Sequence, residues 1–239
     1  MLVLSVDSSS KCATVALLNE DMVIAEYTLN NKREHSVLLM GMIDKVLKDS
    51  NLSINDVDGF VVSKGPGSFT GLRIGMATIK GLSFGSNKPY VSVSTLEGLA
   101  SSLTYFDGII CPIMDAVREN VFTAIYRCKN GTIETLIDCT SMDLPELKEE
   151  LNKLNEKVIL TGDGAIKHKE YLSQNIKNSY FAPIHLNTVR ASQIGEVGLK
   201  LLKKGIKDDE NSSPLYLKKP QAVRELEKRL QMTNGESNS

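Results

Sequence analysis

The sequence predicts an α/β protein made of two duplicated lobes, each with the element order strand-strand-strand-helix-strand-helix. Two observations predict this fold class. The order of apolar patterns in the first half recurs in the second, and an aspartate, Asp7 or Asp115, comes just past the first strand of each half. We expect lobes over residues 1–105 and 106–217, followed by a charged tail over 218–239. The alternative is a chance alternation of elements in an ordinary α/β chain.

The elements of the first half follow from the period of its apolar residues. Alternation of apolar and polar residues predicts strands, and tight polar turns separate the first three of them. Apolar positions repeating every three to four residues predict helices. The predicted elements are strands at 2–8, 12–19 and 22–29, a helix at 35–48, a strand at 59–63, a helix at 69–84, a strand at 89–93 and a short helix at 95–103.

The second half shows the same patterns, with clearer turn and helix-capping signals. Asn130-Gly131 is a two-residue hairpin signal, and Asp143 with Glu146 forms a capping pair at a helix start. The predicted elements are strands at 109–114, 120–127 and 132–138, a helix at 144–154, a strand at 157–160, a loop at 161–164 with a helix after it, a helix at 191–204, an extended segment at 214–217 and a charged helix at 221–232.

Composition excludes several classes of protein. Of the 239 residues 41% are hydrophobic and 24% charged, which is typical of a globular chain, and no uncharged apolar run is long enough to span a membrane. A formal net charge of −1 provides no general attraction for nucleic acid. The N-terminus lacks a signal-peptide pattern, and the four cysteines form no C-x-x-C pair. We therefore expect a cytoplasmic chain with reduced thiols.

A glycine-rich loop between a strand and a helix is the first candidate site. Gly65, Gly67 and Ser68 stand where backbone N–H groups could contact an anion. The loop lacks the Lys-Ser/Thr of a Walker A loop and the spacing of a dinucleotide fingerprint. The sequence leaves two interpretations open, a tight structural turn with close helix packing or an anion contact.

Three polar residues in other turns are weaker candidates. Asp7 and Ser8 lie in the first hairpin turn, and Asp163 lies between two glycines. They could face a phosphate or a magnesium ion, but short polar residues also favour turns for structural reasons. The three histidines are far apart in sequence and lack partner ligands at helical spacing, so we predict no metal site. No nucleophile elbow is present either.

Two helices of the first lobe carry more apolar surface than one sheet contact needs. We predict that the folded monomer leaves part of this surface bare for another polypeptide, the alternative being burial by the second lobe or by the C-terminal helix. The residues concerned are Leu38, Leu39, Met42, Leu72, Met76 and Ile79.

Several motifs together resemble those of the TsaB (YeaZ) family, and the resemblance spans nearly the whole chain. They are Asp7-Ser8-Ser9, His35-Ser36, Gly65-Pro66-Gly67-Ser68-Phe69-Thr70-Gly71-Leu72-Arg73-Ile74-Gly75, Lys80-Gly81-Leu82, Gly162-Asp163-Gly164-Ala165 and Pro214-Leu215-Tyr216-Leu217. The resemblance implies an ASKHA fold, that of actin, Hsp70 and sugar kinases, and a role in making N6-threonylcarbamoyladenosine (t6A) beside the tRNA anticodon.

The resemblance also implies how the protein works. It implies a non-catalytic scaffold that binds the catalytic subunit TsaD, recruits the ATPase TsaE, contacts tRNA only indirectly and forms a homodimer when isolated. The chain itself would bind no cofactor, while the pathway uses ATP, L-threonine and bicarbonate. The implied interface lies on the first two helices, with His35, Arg73 and Lys80 added to the six apolar residues above.

The related TsaD subunit holds a metal with a pair of histidines, and this pair is missing here. Thr95 and Leu99 stand at the corresponding positions, and neither is a useful ligand. Two rival hypotheses remain open at this point. One is an ATP-binding phosphotransferase that uses Asp7, and the other is a metallopeptidase.

Overall fold

The computed structural model describes residues 1–30, 35–116 and 120–217, except for the side chains of residues 35–37. The first half folds into a five-stranded mixed sheet with strand order β3-β2-β1-β4-β5. Its elements are β1 (Val3–Asp7), β2 (Cys12–Leu18), β3 (Val23–Asn30), α1 (His35–Asp49), β4 (Gly59–Gly65), α2 (Phe69–Ser86), β5 (Tyr90–Ser94) and α3 (Thr95–Ser101).

The second half repeats this topology in a sheet of order β8-β7-β6-β9-β10. Its elements are β6 (Gly108–Asp115), β7 (Asn120–Lys129), β8 (Thr132–Asp143), α4 (Leu144–Leu154), β9 (Val158–Thr161), α5 (Asp163–Lys167), α6 (Lys169–Asn175), β10 (Ser179–Phe181) and α7 (Ala191–Lys203). The first strand of each sheet pairs antiparallel with the second and parallel with the fourth. The predicted duplication and the ASKHA fold class are confirmed, and β10 is a strand that was not predicted from the sequence.

The first sheet is apolar on both faces because helices cover both. Leu4 and Val6 of β1 point into a core with α1 and α2, whereas Val3 belongs to a second core with α3 and α7. All five residues of β1 are buried. Such a strand reads as a near-continuous apolar run, as expected for the centre of a sheet covered on two sides.

Helix α7 packs on the first sheet although it follows the second lobe in sequence. Two glycines allow this approach: a Cβ added to Gly195 would lie 2.7 Å from Leu18 and 2.9 Å from Ser5, and one added to Gly198 would collide with Val61. The region predicted as the second lobe, residues 106–217, therefore contributes a helix to the core of the first.

Residues 206–217, here called the C-terminal strap, leave α7 and follow the edge of the first sheet. The N–H of Asp208 donates to the carbonyl oxygen of Tyr90 (2.9 Å), and the N–H of Leu215 donates to the carbonyl oxygen of Lys64 (2.6 Å). The Tyr90 hydroxyl donates to the carbonyl oxygen of Asp209 at 2.5 Å. The strap thus covers an edge strand that would otherwise present unpaired backbone groups. The predicted tail over 218–239 lies outside the described residues.

Candidate functional site

Most of the helix residues predicted to be bare are buried inside the monomer. Leu39 is 1% exposed, Met42 6%, Leu72 1%, Met76 4% and Ile79 0%. The prediction of exposure was wrong for these five, because α1 and α2 pack side by side on the apolar face of β1, β2 and β4. Each helix is therefore covered by the sheet and by its neighbouring helix.

A smaller set of residues on the same helices is exposed. Phe84 is 83% exposed and Met40 52%, and both are large apolar side chains. Gly41, Ala77 and Gly81 are also exposed, and a Cβ added to either glycine would have no atom within 4 Å. We call these five residues the helical face. Its small residues would let the backbone of a partner helix approach closely, and its two large ones would provide apolar contact.

The charged candidates on α2 are used inside the chain. Arg73 donates through Nε to the Tyr216 hydroxyl (3.0 Å), and its guanidinium lies 4.0 Å from the centre of the Phe69 ring. Lys80 donates to the carbonyl oxygens of Glu210 (2.7 Å) and Ser212 (2.6 Å). Both residues therefore hold the C-terminal strap on α2.

The two other interface candidates differ in what can be said of them. Leu38 is partly buried and packs against the core under α1. His35 begins α1, but its side chain lies outside what the structure describes.

The glycine-rich loop packs tightly against the first hairpin turn. The Ser68 N–H donates to the carbonyl oxygen of Ser9 (2.6 Å), and the Ser8 hydroxyl donates to the carbonyl oxygen of Gly71 (2.8 Å). The Ser68 hydroxyl caps α2 by accepting from the Gly71 N–H at 3.3 Å. The Ser68 N–H of the expected anion cradle is therefore already bonded within the chain, as is the Gly71 N–H that follows it, which favours a tight structural turn at Gly65, Gly67 and Ser68.

Glycine is required where this loop touches the turn. Gly65 has a φ of 105°, in the region that other residues rarely adopt. A Cβ on Gly67 would collide with the backbone of Ser9, and one on Gly71 with the carbonyl oxygen of Ser8. The spacing of these glycines thus reflects close packing of two backbone segments.

The two equivalent aspartates have different surroundings. Asp7 is fully buried, and its Oδ1 accepts from the N–H (3.3 Å) and the hydroxyl (3.2 Å) of Ser9. Asp115 forms an ion pair with Lys167 at 2.8 Å, and its N–H donates to Oδ1 of Asp163 at 3.1 Å. Both aspartates are thus engaged by groups of the chain itself.

A cavity of about 160 Å³ lies between the two lobes. Ser10 and Lys11 line it from the first lobe, and Met114 and Asp163 line it from the second. Burial raises the pKa of the Asp163 carboxyl, while the N–H groups of Asp115 and Gly164 lower it in part. Pockets for drug-sized ligands usually measure about 300–1,000 Å³, so this one is small for a nucleotide.

The positions that correspond to the metal ligands of TsaD are buried. Thr95 begins α3 and Leu99 follows one turn later, and neither side chain is accessible to solvent. Within residues 1–30, 35–116 and 120–217, no group of three or more His, Cys, Asp or Glu side chains could hold a metal ion.

Comparison with known proteins decides the family. The family model described as TsaD, tRNA N6-adenosine threonylcarbamoyltransferase, matches residues 22–226. The tRNA threonylcarbamoyladenosine biosynthesis protein TsaB of Bacillus subtilis is 38% identical over 172 residues, which are 72% of this chain and 75% of the relative. The chain belongs to the TsaB family. The Escherichia coli TsaB protein is 30% identical over 69% of the chain and 72% of the relative.

Solved structures and more distant relatives agree with a TsaB-family fold. YeaZ from Pseudomonas aeruginosa superposes with a TM-score of 0.74 and 20% identity, over 90% of this chain and 99% of that one. The tRNA N6-adenosine threonylcarbamoyltransferase of Brucella ovis is 34% identical over 82 residues, which are 34% of this chain and 23% of the enzyme. None of the helices in the described part of the chain is long and apolar enough to cross a membrane.

Proposed function

We propose that this chain is the accessory subunit of a tRNA t6A-forming complex, and that it binds a TsaD-type catalytic subunit through the helical face. Membership of the TsaB family supports the pathway. The exposure of Phe84, at 83%, is the single observation that carries the choice of surface. A large aromatic side chain held in water on a rigid helix is the kind of residue that becomes an anchor when a partner covers it.

The partial match to threonylcarbamoyltransferases supports the kind of partner. The family model described as TsaD matches residues 22–226, a range that includes α1 and α2, which supports a partner with related helices. Equivalent helix pairs packed against each other form a four-helix bundle, in which small residues allow close approach. Gly41, Ala77 and Gly81 provide such positions here.

The proposal also covers binding of the ATPase of the pathway and the behaviour of this chain when no partner is present. In this proposal a TsaE-type ATPase joins the assembled pair and consumes ATP, while this chain catalyses no step. Without its partner, the chain covers Phe84 by pairing the helical face with that of a second copy, since a self-complementary patch gives a two-fold dimer.

The test is a substitution at Phe84, the most exposed large residue of the helical face, with a matched control elsewhere. Phe84→Asp should weaken copurification with the TsaD-type subunit by at least about tenfold, or ~1.4 kcal/mol, and lower t6A formation on tRNA in a reconstituted assay. Ile184→Asp is the control, because Ile184 is 91% exposed but lies in the second lobe. We expect the control to assemble normally.

Two outcomes would contradict the proposal. One is unchanged complex formation by Phe84→Asp. The other is equal loss in both variants, which would show that any added charge disturbs assembly.

A further inference from the structure

We propose that one end of the second lobe binds an unpaired stretch of RNA. The starts of β6, β9 and β10 and the end of β7 meet there. The surface, here called the aromatic end, consists of Tyr105, Phe106, Tyr180, Lys129, Lys157 and Lys177. It combines aromatic with cationic side chains, which are the two features that proteins use to bind single-stranded nucleic acid.

The aromatic side chains of this end are packed together and partly exposed. The ring centres of Phe106 and Tyr180 lie 6.1 Å apart, with an angle of 60° between the ring planes. Tyr180 is 52% exposed, and Tyr105, which precedes Phe106 in the chain, is 69% exposed. A base can therefore stack on these rings without a change in the fold, and such stacking tolerates any base.

Three lysines flank the rings. Lys157 lies next to Phe106, since a Cβ added to Gly108 would lie 2.9 Å from the Phe106 ring and 3.4 Å from Cβ of Lys157. Lys177 lies in the loop before β10, and Lys129 is the last residue of β7. All three lysines are exposed, and none of them forms a salt bridge with another described residue. Their charges are therefore available to phosphate groups.

The acidic groups at this end are engaged within the chain. Glu156 accepts two hydrogen bonds from Arg127, at 3.1 Å and 2.8 Å, and Glu134 forms an ion pair with the same guanidinium at 3.5 Å. Asp107 accepts from the Asn130 N–H at 2.9 Å. Together with the three lysines, these groups give the aromatic end a small positive charge, whereas the whole chain carries a net charge of −1.

The choice of RNA as the ligand rests on the proposed function, because tRNA is the substrate of the t6A pathway. An unpaired stretch is favoured over a duplex, since only unpaired bases offer their faces to aromatic side chains. The aromatic end lies on the second lobe and the helical face on the first, so one complex can use both surfaces. Direct contact with tRNA goes beyond the indirect contact that the family resemblance implies.

The experiment is fluorescence anisotropy of the full chain with a labelled single-stranded RNA of about 12 nucleotides. A duplex of the same sequence and a poly-glutamate peptide are the comparison ligands. We expect the single strand to bind at least about tenfold more tightly than either, because the duplex offers no free base face and the peptide offers charge alone. Log K should fall with log salt concentration with a slope of about −2, since each of three phosphate contacts contributes about −0.7.

Substitutions separate stacking from charge. Tyr180→Ala should weaken RNA binding by at least about fivefold, whereas Tyr180→Phe keeps the ring and should bind like the wild type. Lys157→Ala should weaken binding and make the salt slope shallower by about 0.7. Lys204→Ala removes an exposed charge at the end of α7 and is the control, which should change neither quantity.

Three results would overturn the proposal. These are the absence of binding to the single strand, equal binding of the single strand and either comparison ligand, and unchanged binding by both Tyr180→Ala and Lys157→Ala. Because the assay contains no catalytic subunit, it can fail while complex formation through the helical face stands. Normal RNA binding without complex formation would instead contradict the proposed function alone.

Discussion

The hydroxyl of Ser8 donates to the carbonyl oxygen of Gly71 across 2.8 Å, and this bond joins the first hairpin turn to the first turn of α2. Both residues are buried. Asp7-Ser8-Ser9 and the glycine-rich loop are far apart in sequence, yet they form one packed unit. The glycines of the loop are therefore explained by the backbone they touch.

This contact predicts opposite effects of the same substitution at two positions of α2. Gly71→Ala places a methyl group against the Ser8 carbonyl oxygen, and we expect a loss of about 2–3 kcal/mol in the free energy of unfolding. At Gly81 the methyl group enters open space, so Gly81→Ala should stabilise by about 0.5–1 kcal/mol. Urea unfolding measures both, and equal effects would contradict the packing described.

A second prediction is that an added charge lowers stability in the core of the first lobe but not on its exposed helical face. Met76 is 4% exposed, so Met76→Arg buries an unpaired charge and should destabilise by about 3 kcal/mol or more. Phe84→Arg adds the same charge at an exposed site and should change stability by no more than about 0.5 kcal/mol. Thermal unfolding followed by circular dichroism checks this.

The consequence concerns the choice of interface probe. Met76→Arg cannot report on partner binding, because loss of fold would also abolish it. A Met76→Arg variant with unchanged stability would show that the helix packs differently from the arrangement described.

A third prediction concerns the pH dependence of stability. Burial raises the pKa of the Glu97 carboxyl, with a smaller opposing effect of Lys64. The folded state then binds a proton more readily than the unfolded chain, so ionised Glu97 destabilises the fold at neutral pH. Glu97→Gln should stabilise the protein at pH 7, and the gain should fade as pH drops through the raised pKa and vanish below about 4.3, the ordinary value for glutamate.

Chemical unfolding at a series of pH values measures this difference. A constant difference between wild type and Glu97→Gln from pH 3 to pH 7 would contradict the burial of this carboxyl.

A fourth prediction concerns the C-terminal strap. Lys80→Met removes two hydrogen bonds to strap carbonyl oxygens, each worth about 0.5–1.5 kcal/mol. Hydrogen exchange of the backbone amides of residues 208–216 should become about 5- to 100-fold faster, while exchange in β1 stays the same. Lys45→Met, which breaks an exposed ion pair on α1, should leave the strap protected. Unchanged strap exchange in Lys80→Met would show that other contacts suffice.

Much of the fold could be predicted because local signals and topology agree. The hairpin turns and the capped helix α4 are local signals that specify elements, and the order of elements repeats in both halves. The strand β10 was missed because it has only three residues, Ser179–Phe181, too few for a periodic pattern.

The contacts between elements could not be predicted from the pattern. The apolar period of α7 shows that one face is buried, but not that the first sheet buries it. For α1 and α2 the same period correctly placed residues such as Leu39 and Ile79 on an apolar helix face. It did not reveal that each helix is covered on two sides, so the exposed positions Met40 and Phe84 were not distinguished from the buried ones.

The position of α7 has a consequence for synthesis. The ribosome delivers the chain from its N-terminus, yet the face of the first sheet that contains Val3 and Val61 is closed by a helix made after the whole second sheet. Until α7 has left the ribosome, α3 alone covers this face, and part of its apolar surface stays exposed to water.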